Sequence, residues 1–430
     1  MNAPVPLSQI TAPSEPSSLP APIAQPYLIV LFNVRFYADA SGRRWLDALW
    51  AKDLIEHARY IKNLTLAAPV DHGPMPPNAV ALDQIAELKE LRCVDLPAPR
   101  NIVMALFLLP RTIATLWRAM GSATIVHSGV AGWPLAEAWI LIPLLAFRRR
   151  MLYLNVESAF WRIVPGQRVP LSRRVRAVVT ERLNRACLEA SDVSTYTHAG
   201  YRRSLLRRNL ERGHVVEASW IDESDVLDPT VAAAQSERRR RHAGPLKLVF
   251  AGRLTRDKGL LVLFEAVLSA LQAGVAVELD IYGEGPLEAE CRERVAQLGS
   301  NAPIRLRGTM PYDWRFFAAI RAYDMLVVPT LSDEQPRIVF DAYAQGLPVL
   351  ASRTEGLVQC VDDSVTGYLV TPGDASALAA RVARIASQPG VLVAMSAACL
   401  ERARRLTHQH IHLARWRMLV DRFPLLTRTP

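Results

Sequence analysis

The chain has 430 residues, half of them hydrophobic, a formal net charge of +10 and five cysteines. That length suits two or three domains with ample core, and the hydrophobic share makes most of the chain globular. Cys93, Cys187, Cys291, Cys360 and Cys399 show no short paired spacing, which excludes a disulfide framework and argues for isolated thiols in a reducing compartment. The basic balance favours anionic partners, and with no RNA-binding or zinc-finger signature, nucleic acid is not expected among them.

Residues 1–26 are rich in Pro, Ser and Ala and lack both a basic n-region and an apolar h-region. They read as a disordered tail rather than a secretory signal. "YLIVLFNV" (Tyr27–Val34) is a buried strand, Arg44–Ile61 has apolar residues at helical spacing, and "LTLAAPV" (Leu64–Val70) is a strand again, a βαβ unit. The longest apolar segment, Trp133–Arg150, carries Glu137 and Pro143 and is too short to span a bilayer. Two readings stay open for it: a buried helix with its connection, or a membrane-surface element in which Trp133 and Trp139 precede Arg148, Arg149 and Arg150. The strands "ATIVHSG" (Ala123–Gly129) and "RMLYLNVE" (Arg150–Glu157), a long basic helix near Arg173–Ala190 and "DVSTYTH" (Asp192–His198) follow.

Between residues 221 and 245 an acidic cluster, a Pro and a run of basic residues replace the periodic pattern, as in an inter-domain linker. The alternation then resumes with "LKLVFAGRL" (Leu246–Leu254), "AVELDIYGEGP" (Ala276–Pro286), "IRLRGTM" (Ile304–Met310), "MLVVPT" (Met325–Thr330), "PVLAS" and "GYLVTPGD" (Gly367–Asp374). So regular an order predicts an α/β protein with parallel sheets and helices on both faces. The expected architecture is two facing Rossmann-like domains, 27–220 and 246–405, with a cleft between them and a C-terminal helix over 406–430 packing back on the first. Ligands of such sheets sit beyond the carboxyl ends of strands.

Three motifs lie at such ends. In "AGRLTRDKG" (Ala251–Gly259) a strand runs into Gly252, and Arg253 and Lys258 place two cations on one short loop. That suits a diphosphate, although a turn with two solvated cations has the same composition. It is not a Walker loop. "YGEGP" with Gly283, and "RGTM" with Arg307, are weaker signals: a tight turn, or backbone lining for a nucleobase. The third, "TLSDEQPRIVFDAYAQGLPVLAS" (Thr330–Ser352), holds Asp333, Glu334 and Asp341 around a predicted helix start at Pro336, which Asp333 would cap and Gly346 would end. Capping needs only one of these acids. Carboxylates are good acceptors for vicinal hydroxyls, so the set, with Arg337 and Ile338 beside it, suits a sugar.

"GRLTRDKG", "YGEGP", "DEQPRIVFDAYAQGLPVLAS" and "DDSVTGYLVTPGD" resemble, in order and spacing, the retaining glycosyltransferases of family 4, whose fold is GT-B. The resemblance covers about Leu246 to Asp374. It implies transfer of a hexose from a nucleoside-diphosphate sugar with retention at the anomeric carbon, without metal or further cofactor. It assigns Gly252, Arg253, Lys258, Gly283, Arg307, Asp333, Glu334, Arg337, Ile338 and Asp341 to the donor, with Arg253 and Lys258 on the diphosphate. The family's paired glutamates fall on Asp333 and Asp341, both one methylene shorter, so Glu334 would reach the hexose in place of Asp333. His127 matches a strand-end histidine facing the donor sugar, and is expected to be catalytic with Arg253, Lys258, Asp333 and Glu334. His198 and Glu157 stand at similar strand ends.

The first half departs more from the family. A segment holding Asn33, Arg35, Ser41 and Gly42 replaces its Gly-rich loop, and these residues with Glu157 are the expected acceptor contacts. The acceptor class is a glycan, polysaccharide or lipid-linked hydroxyl, the place the cytoplasm or the inner face of the cell membrane. A sugar-nucleotide hydrolase or epimerase, or a non-catalytic nucleotide-binding partner subunit, uses the same scaffold and remains an alternative.

Overall fold

The computed structural model describes residues 21–428 apart from 40, 77, 133–134, 165–166, 242–243 and 300–301. Trp133 and most of the Pro-rich N-terminal segment therefore lie outside the described residues. The chain divides into two compact units, residues 1–126 with 412–430, and residues 127–411.

In the first unit, β1 (Tyr27–Val30), β2 (Phe36–Ala38), β3 (Arg44–Asp47), α1 (Ala48–Tyr60), β4 (Leu64–Asp71), β5 (Ala79–Ala81), β6 (Arg92–Leu96) and α2 (Ile102–Ser122) occur in that order. β4 pairs in parallel with β1, β6 and β2, while β3 lies antiparallel between β2 and β5. Two expectations change here. Ile23 is fully buried and bonds backbone to backbone with Tyr60 and Lys62, so the folded chain starts before residue 27. The helix expected from Arg44 begins at Ala48, where the Asp47 carboxylate caps it by accepting from the Leu49 N–H. The preceding residues pair as a strand because the tight turn at Asp39–Arg43 folds them back on β2.

By length and composition, α2 could cross a membrane, and 11% of its most apolar window is buried. It is longer than α3 (Glu137–Phe147), the helix of the segment singled out from sequence. At the C-terminus, His412 Nε2 lies 3.1 Å from Asp53 and its Nδ1 lies 3.2 Å from the Tyr60 hydroxyl. Burial holds that imidazole well below its ordinary pKa.

β7 (Ile125–Gly129) spans the boundary between the units. The second unit then holds α3, β8 (Met151–Val156), α4 (Leu171–Ala190), β9 (Val193–Tyr196), α5 (Ala199–Leu205) and β10 (Gly213–Val215). β8, β9 and β10 pair in parallel. The segment read as a linker is largely structured. Its Ala-rich part forms α6 (Pro229–Arg240), and the segment is bonded to residues far along the chain: Leu227 N–H donates to Ala344 and Gln235 Nε2 to Arg321.

The rest of this unit is built on a six-stranded sheet: β11 (Leu246–Ala251), β12 (Val277–Tyr282), β13 (Ile304–Gly308), β14 (Met325–Val328), β15 (Val349–Ser352) and β16 (Gly367–Val370). Every pairing is parallel, and the order is β13-β12-β11-β14-β15-β16. This is the doubly wound order that starts in the middle and reverses direction between its first and fourth strands. One core, with α7 (Leu260–Gln272) and α12 (Ala375–Ser387), covers one face. The other face carries α9 (Trp314–Ile320), α10 (Ile338–Ala344) and the second half of α13 (Val391–Arg405), whose Leu392 and Met395 belong to the first core. The reversal lies between β11 and β14, and there the loops after these two strands leave a crevice free of crossover helices.

Candidate functional site

The loop after β11 runs through Gly252 and Arg253 into a single 3-10 turn, Arg256–Lys258, and then α7. Gly259 joins them at φ +71°, and a Cβ there would lie 1.8 Å from the Pro329 carbonyl oxygen. That position needs glycine both for its backbone and for the close approach of the next strand end. The Asp257 carbonyl accepts from the Leu331 N–H at 2.7 Å and from the Thr330 hydroxyl at 3.0 Å. The cationic loop and the acidic loop are therefore bonded to each other through backbone before any side chain is considered.

Lys258 Nζ donates to Glu334 Oε2 at 2.5 Å, and both side chains are largely buried. The Ser158 hydroxyl, just past β8, donates to the other Glu334 oxygen at 3.2 Å. Asp333, by contrast, is exposed. It does not cap α10, which starts at Ile338 with Arg337 in the cap position and no side-chain cap bond. Pro336 forms a turn ahead of the helix instead, its carbonyl accepting from Val339. Gly346 ends α10 at φ +59°, as its type requires.

Asp341 sits inside α10 at 4% exposure and accepts from the Tyr312 hydroxyl at 2.8 Å. Burial first, then the Asp341 charge, pushes that phenol far above its ordinary pKa, so it stays a donor. Arg337 lies 4.5 Å from the Trp220 ring centre. Arg253 is exposed and its side chain makes no ion pair or hydrogen bond among the described residues.

The remaining expected donor residues have local roles. Gly283, at φ +138°, brings its backbone against Gly252, where a Cβ would lie 1.9 Å from the carbonyl oxygen. Arg307 Nε donates to Asp280 at 2.9 Å, and the Tyr323 hydroxyl donates to the same carboxylate at 2.6 Å. The Arg307 charge is thereby held at the strand edge. Gly356 matters more than sequence suggested: a Cβ there would lie 2.3 Å from the Glu334 carbonyl oxygen, so only glycine lets the acidic loop lie where it does.

Three strand ends of the second unit's first sheet bear on that loop. His198 is fully buried and accepts at Nδ1 from the Tyr201 N–H. Burial brings its pKa down to about 4 even though the Asp333 backbone favours its charged form. Ala199 N–H donates to Gln359 and Ala218 N–H to Gln335, and Arg203 pairs with Glu355. His127, nearly buried, stacks on Tyr153 at 4.1 Å between ring centres. Glu157 is exposed and accepts from Asn155.

The other expected acceptor residues belong to the first unit. Arg35 donates to Asp71 at 2.9 Å, and the Ser41 hydroxyl to Asp39 at 2.6 Å. Gly42, at φ +81°, closes that Asp39 turn, and Asn33 is exposed. The structure thus brings Lys258, Glu334 and Ser158 together, places Asp333 and Asp341 on one loop-and-helix unit, and sets Gly356, from the loop after β15, against it. Ser158 and Tyr312 carried no pattern that sequence reasoning could weigh, whereas Gly356 stood out in the sequence only as the one glycine left in "SRTEGL", where the family resembled often has a pair.

Residues 245–388 match the family described as glycosyl transferases group 1. A curated relative, the amylovoran biosynthesis glycosyltransferase AmsK of Erwinia amylovora, is 30% identical over 177 residues, 39% of this chain and 42% of that protein. The chain thus aligns with less than half the length of that relative. Among solved structures, Anabaena Alr3699/HepE in complex with UDP superposes with a TM-score of 0.66 at 14% identity, covering 92% of this chain and 100% of that one. Sucrose-phosphate synthase of Thermosynechococcus elongatus superposes with a TM-score of 0.67 at 18% identity, covering 93% and 99%. At such identities the likeness is one of fold. The chain has a GT-B fold, with two parallel sheets of Rossmann-like character, and carries a glycosyl transferases group 1 domain over residues 245–388.

Proposed function

We propose that the protein is a hexosyltransferase. It takes a hexose from a nucleoside-diphosphate sugar and joins it to a hydroxyl of a glycan, polysaccharide or lipid-linked acceptor, with retention at the anomeric carbon. The observation that carries this reading is the joining of the Lys258 loop to the Asp333–Glu334 loop at the point where the sheet order reverses. One loop offers cations for a diphosphate and the other offers carboxylates for sugar hydroxyls, a few ångströms apart. Two supports come from relatives: the match to AmsK, whose name places it in amylovoran biosynthesis, and a structure of HepE holding UDP-glucose.

In the reaction the bond between the anomeric carbon and the diphosphate oxygen breaks as the acceptor oxygen bonds to that carbon from the same side. The transition state is oxocarbenium-like. Lys258 and the unengaged Arg253 stabilise the charge that grows on the leaving diphosphate. The acceptor proton passes to a leaving phosphate oxygen; His198, buried and bonded at Nδ1, does not take it. Asp341, fixed by Tyr312, takes the nucleotide ribose in this reading, the role the family resemblance gives the second acid. The same reading gives the cations the charge-neutralising work that a divalent metal does elsewhere.

The test is a thermal-shift screen with UDP, GDP, ADP and their glucose, galactose and mannose derivatives, since stabilisation follows affinity. A shift with one nucleotide class, followed by transfer of label from that sugar to a polyprenyl-linked or oligosaccharide acceptor as the α-anomer, supports the reading. Activity that persists in excess EDTA supports the metal-free part. Stabilisation by none of the panel, or release of free sugar only, would overturn it.

A further inference from the structure

α4 wears its apolar side outward. Ala177, Asn184, Cys187 and Leu188 are its buried positions, and Trp139 of α3 donates to Asn184 at 2.8 Å, which fixes the face turned to the protein. On the opposite arc, at helical spacing, stand Leu171, Val175, Val178, Val179 and Leu183, each between 42% and 75% exposed. A helix packed on a soluble domain normally shows water its charged side, so this inversion asks for a covering surface.

The cations around the stripe say what covers it. Arg174, Arg176 and Arg182 border or interrupt it, are exposed, and have no acid partner among the described residues. Of the two acids in the helix, Glu181 is taken by Arg162 and Arg185 and Glu189, in its last turn, accepts from the Arg207 and Arg208 backbone N–H groups. A second copy of the chain on this face would set two sets of three unpaired cations against each other, so self-association is disfavoured. Nucleic acid would use the cations and leave the aliphatic stripe in water. An anionic bilayer uses both: the aliphatic residues enter the acyl boundary, and the arginine stems reach back to the headgroup phosphates.

We propose that the outer face of α4 docks the protein on an anionic membrane surface, with the helix lying in the interface plane. This surface was not the one singled out from sequence, and the proposal does not depend on the transferase reading.

The experiment is co-sedimentation of the full chain with vesicles of phosphatidylcholine, alone or with phosphatidylglycerol, at low and high salt. Wild type is expected to bind the mixed vesicles and to release at high salt. Arg174→Ala/Arg176→Ala/Arg182→Ala and Val175→Ser/Val179→Ser are each expected to weaken binding at least tenfold, at unchanged thermal midpoint because these side chains already face solvent. Phe107→Ser, on the exposed start of α2, is the comparison and is expected to bind like wild type. Several results would overturn the proposal: no binding to either vesicle, equal binding to both, or binding that survives both α4 variants. So would loss of binding in Phe107→Ser alone, and so would a dimer in solution that the α4 variants dissolve.

Discussion

Glu334→Gln separates two roles that the geometry gives to one carboxylate. In the free protein Glu334 occupies Lys258, so a diphosphate must compete for that ammonium. The amide keeps the Ser158 bond and the shape of the side chain but gives up the ion pair. The two side chains are 16% and 22% exposed. Exposed pairs are worth up to about 1 kcal/mol, and a partly buried one sits at or above that limit. Releasing about 1 kcal/mol to the ligand tightens a dissociation constant about fivefold. Titration calorimetry at low salt, with whichever of UDP, GDP or ADP stabilises the wild type, is expected to show that gain. In the same variant, turnover with saturating donor sugar is expected to fall at least tenfold, because a carboxylate facing the hexose has become a neutral amide. Weaker or unchanged nucleotide binding would refute the competition and with it the placement of phosphate at Lys258.

Lys258→Ala removes the cation itself and is expected to lower donor-saturated turnover at least tenfold, about 1.4 kcal/mol of transition-state stabilisation; a near-wild-type rate would remove Lys258 from the mechanism. Tyr312→Phe takes one donor from the buried Asp341 carboxylate and is expected to cost about 1–3 kcal/mol, read as a lower denaturant midpoint, with an unchanged midpoint showing that this bond carries nothing. His198 is neutral in the folded protein, its pKa brought from 6.5 to about 4. For a base depressed in this way, its contribution is intact above pH 6.5 and drains away as pH falls from 6.5 to 4, up to about 3 kcal/mol. Denaturation at pH 7 and pH 4.5 is expected to show a smaller acid loss in His198→Gln than in wild type; equal losses would contradict the assignment.

Much of the second half was legible because its information is local. Leu246–Ala251, Val277–Tyr282 and Met325–Val328 are short apolar runs that end at glycine or polar residues, and each is a strand. Gly346 ends a helix where its type predicts. The first half was harder for the same reason. Arg44–Asp47 has helical spacing, but pairing with β2 and β5 overrides it. The segment over 221–245 has linker composition, yet its alanines suit a helix once Ala344 and Arg321 are there to receive it. Arg35, Ser41 and Arg307 looked available for ligand, and each is bonded to an acid: Ser41 to Asp39 within its own turn, and Arg35 and Arg307 to Asp71 and Asp280, which the sequence does not place beside them.

The succession of strands along the second half, the glycine turns and the presence of cations and acids on two particular loops were determined by sequence alone, since each depends on neighbours a few positions away. Tertiary structure decided the rest. It chose Glu334 over Asp333 as the partner of Lys258, put Asp341 under Tyr312, set Gly356 against the acidic loop, and turned the aliphatic stripe of α4 outward. Those outcomes depend on which groups from distant parts of the chain arrive within a few ångströms. A carboxylate's role follows from the charge and burial it meets there, and no spacing within its own segment records either.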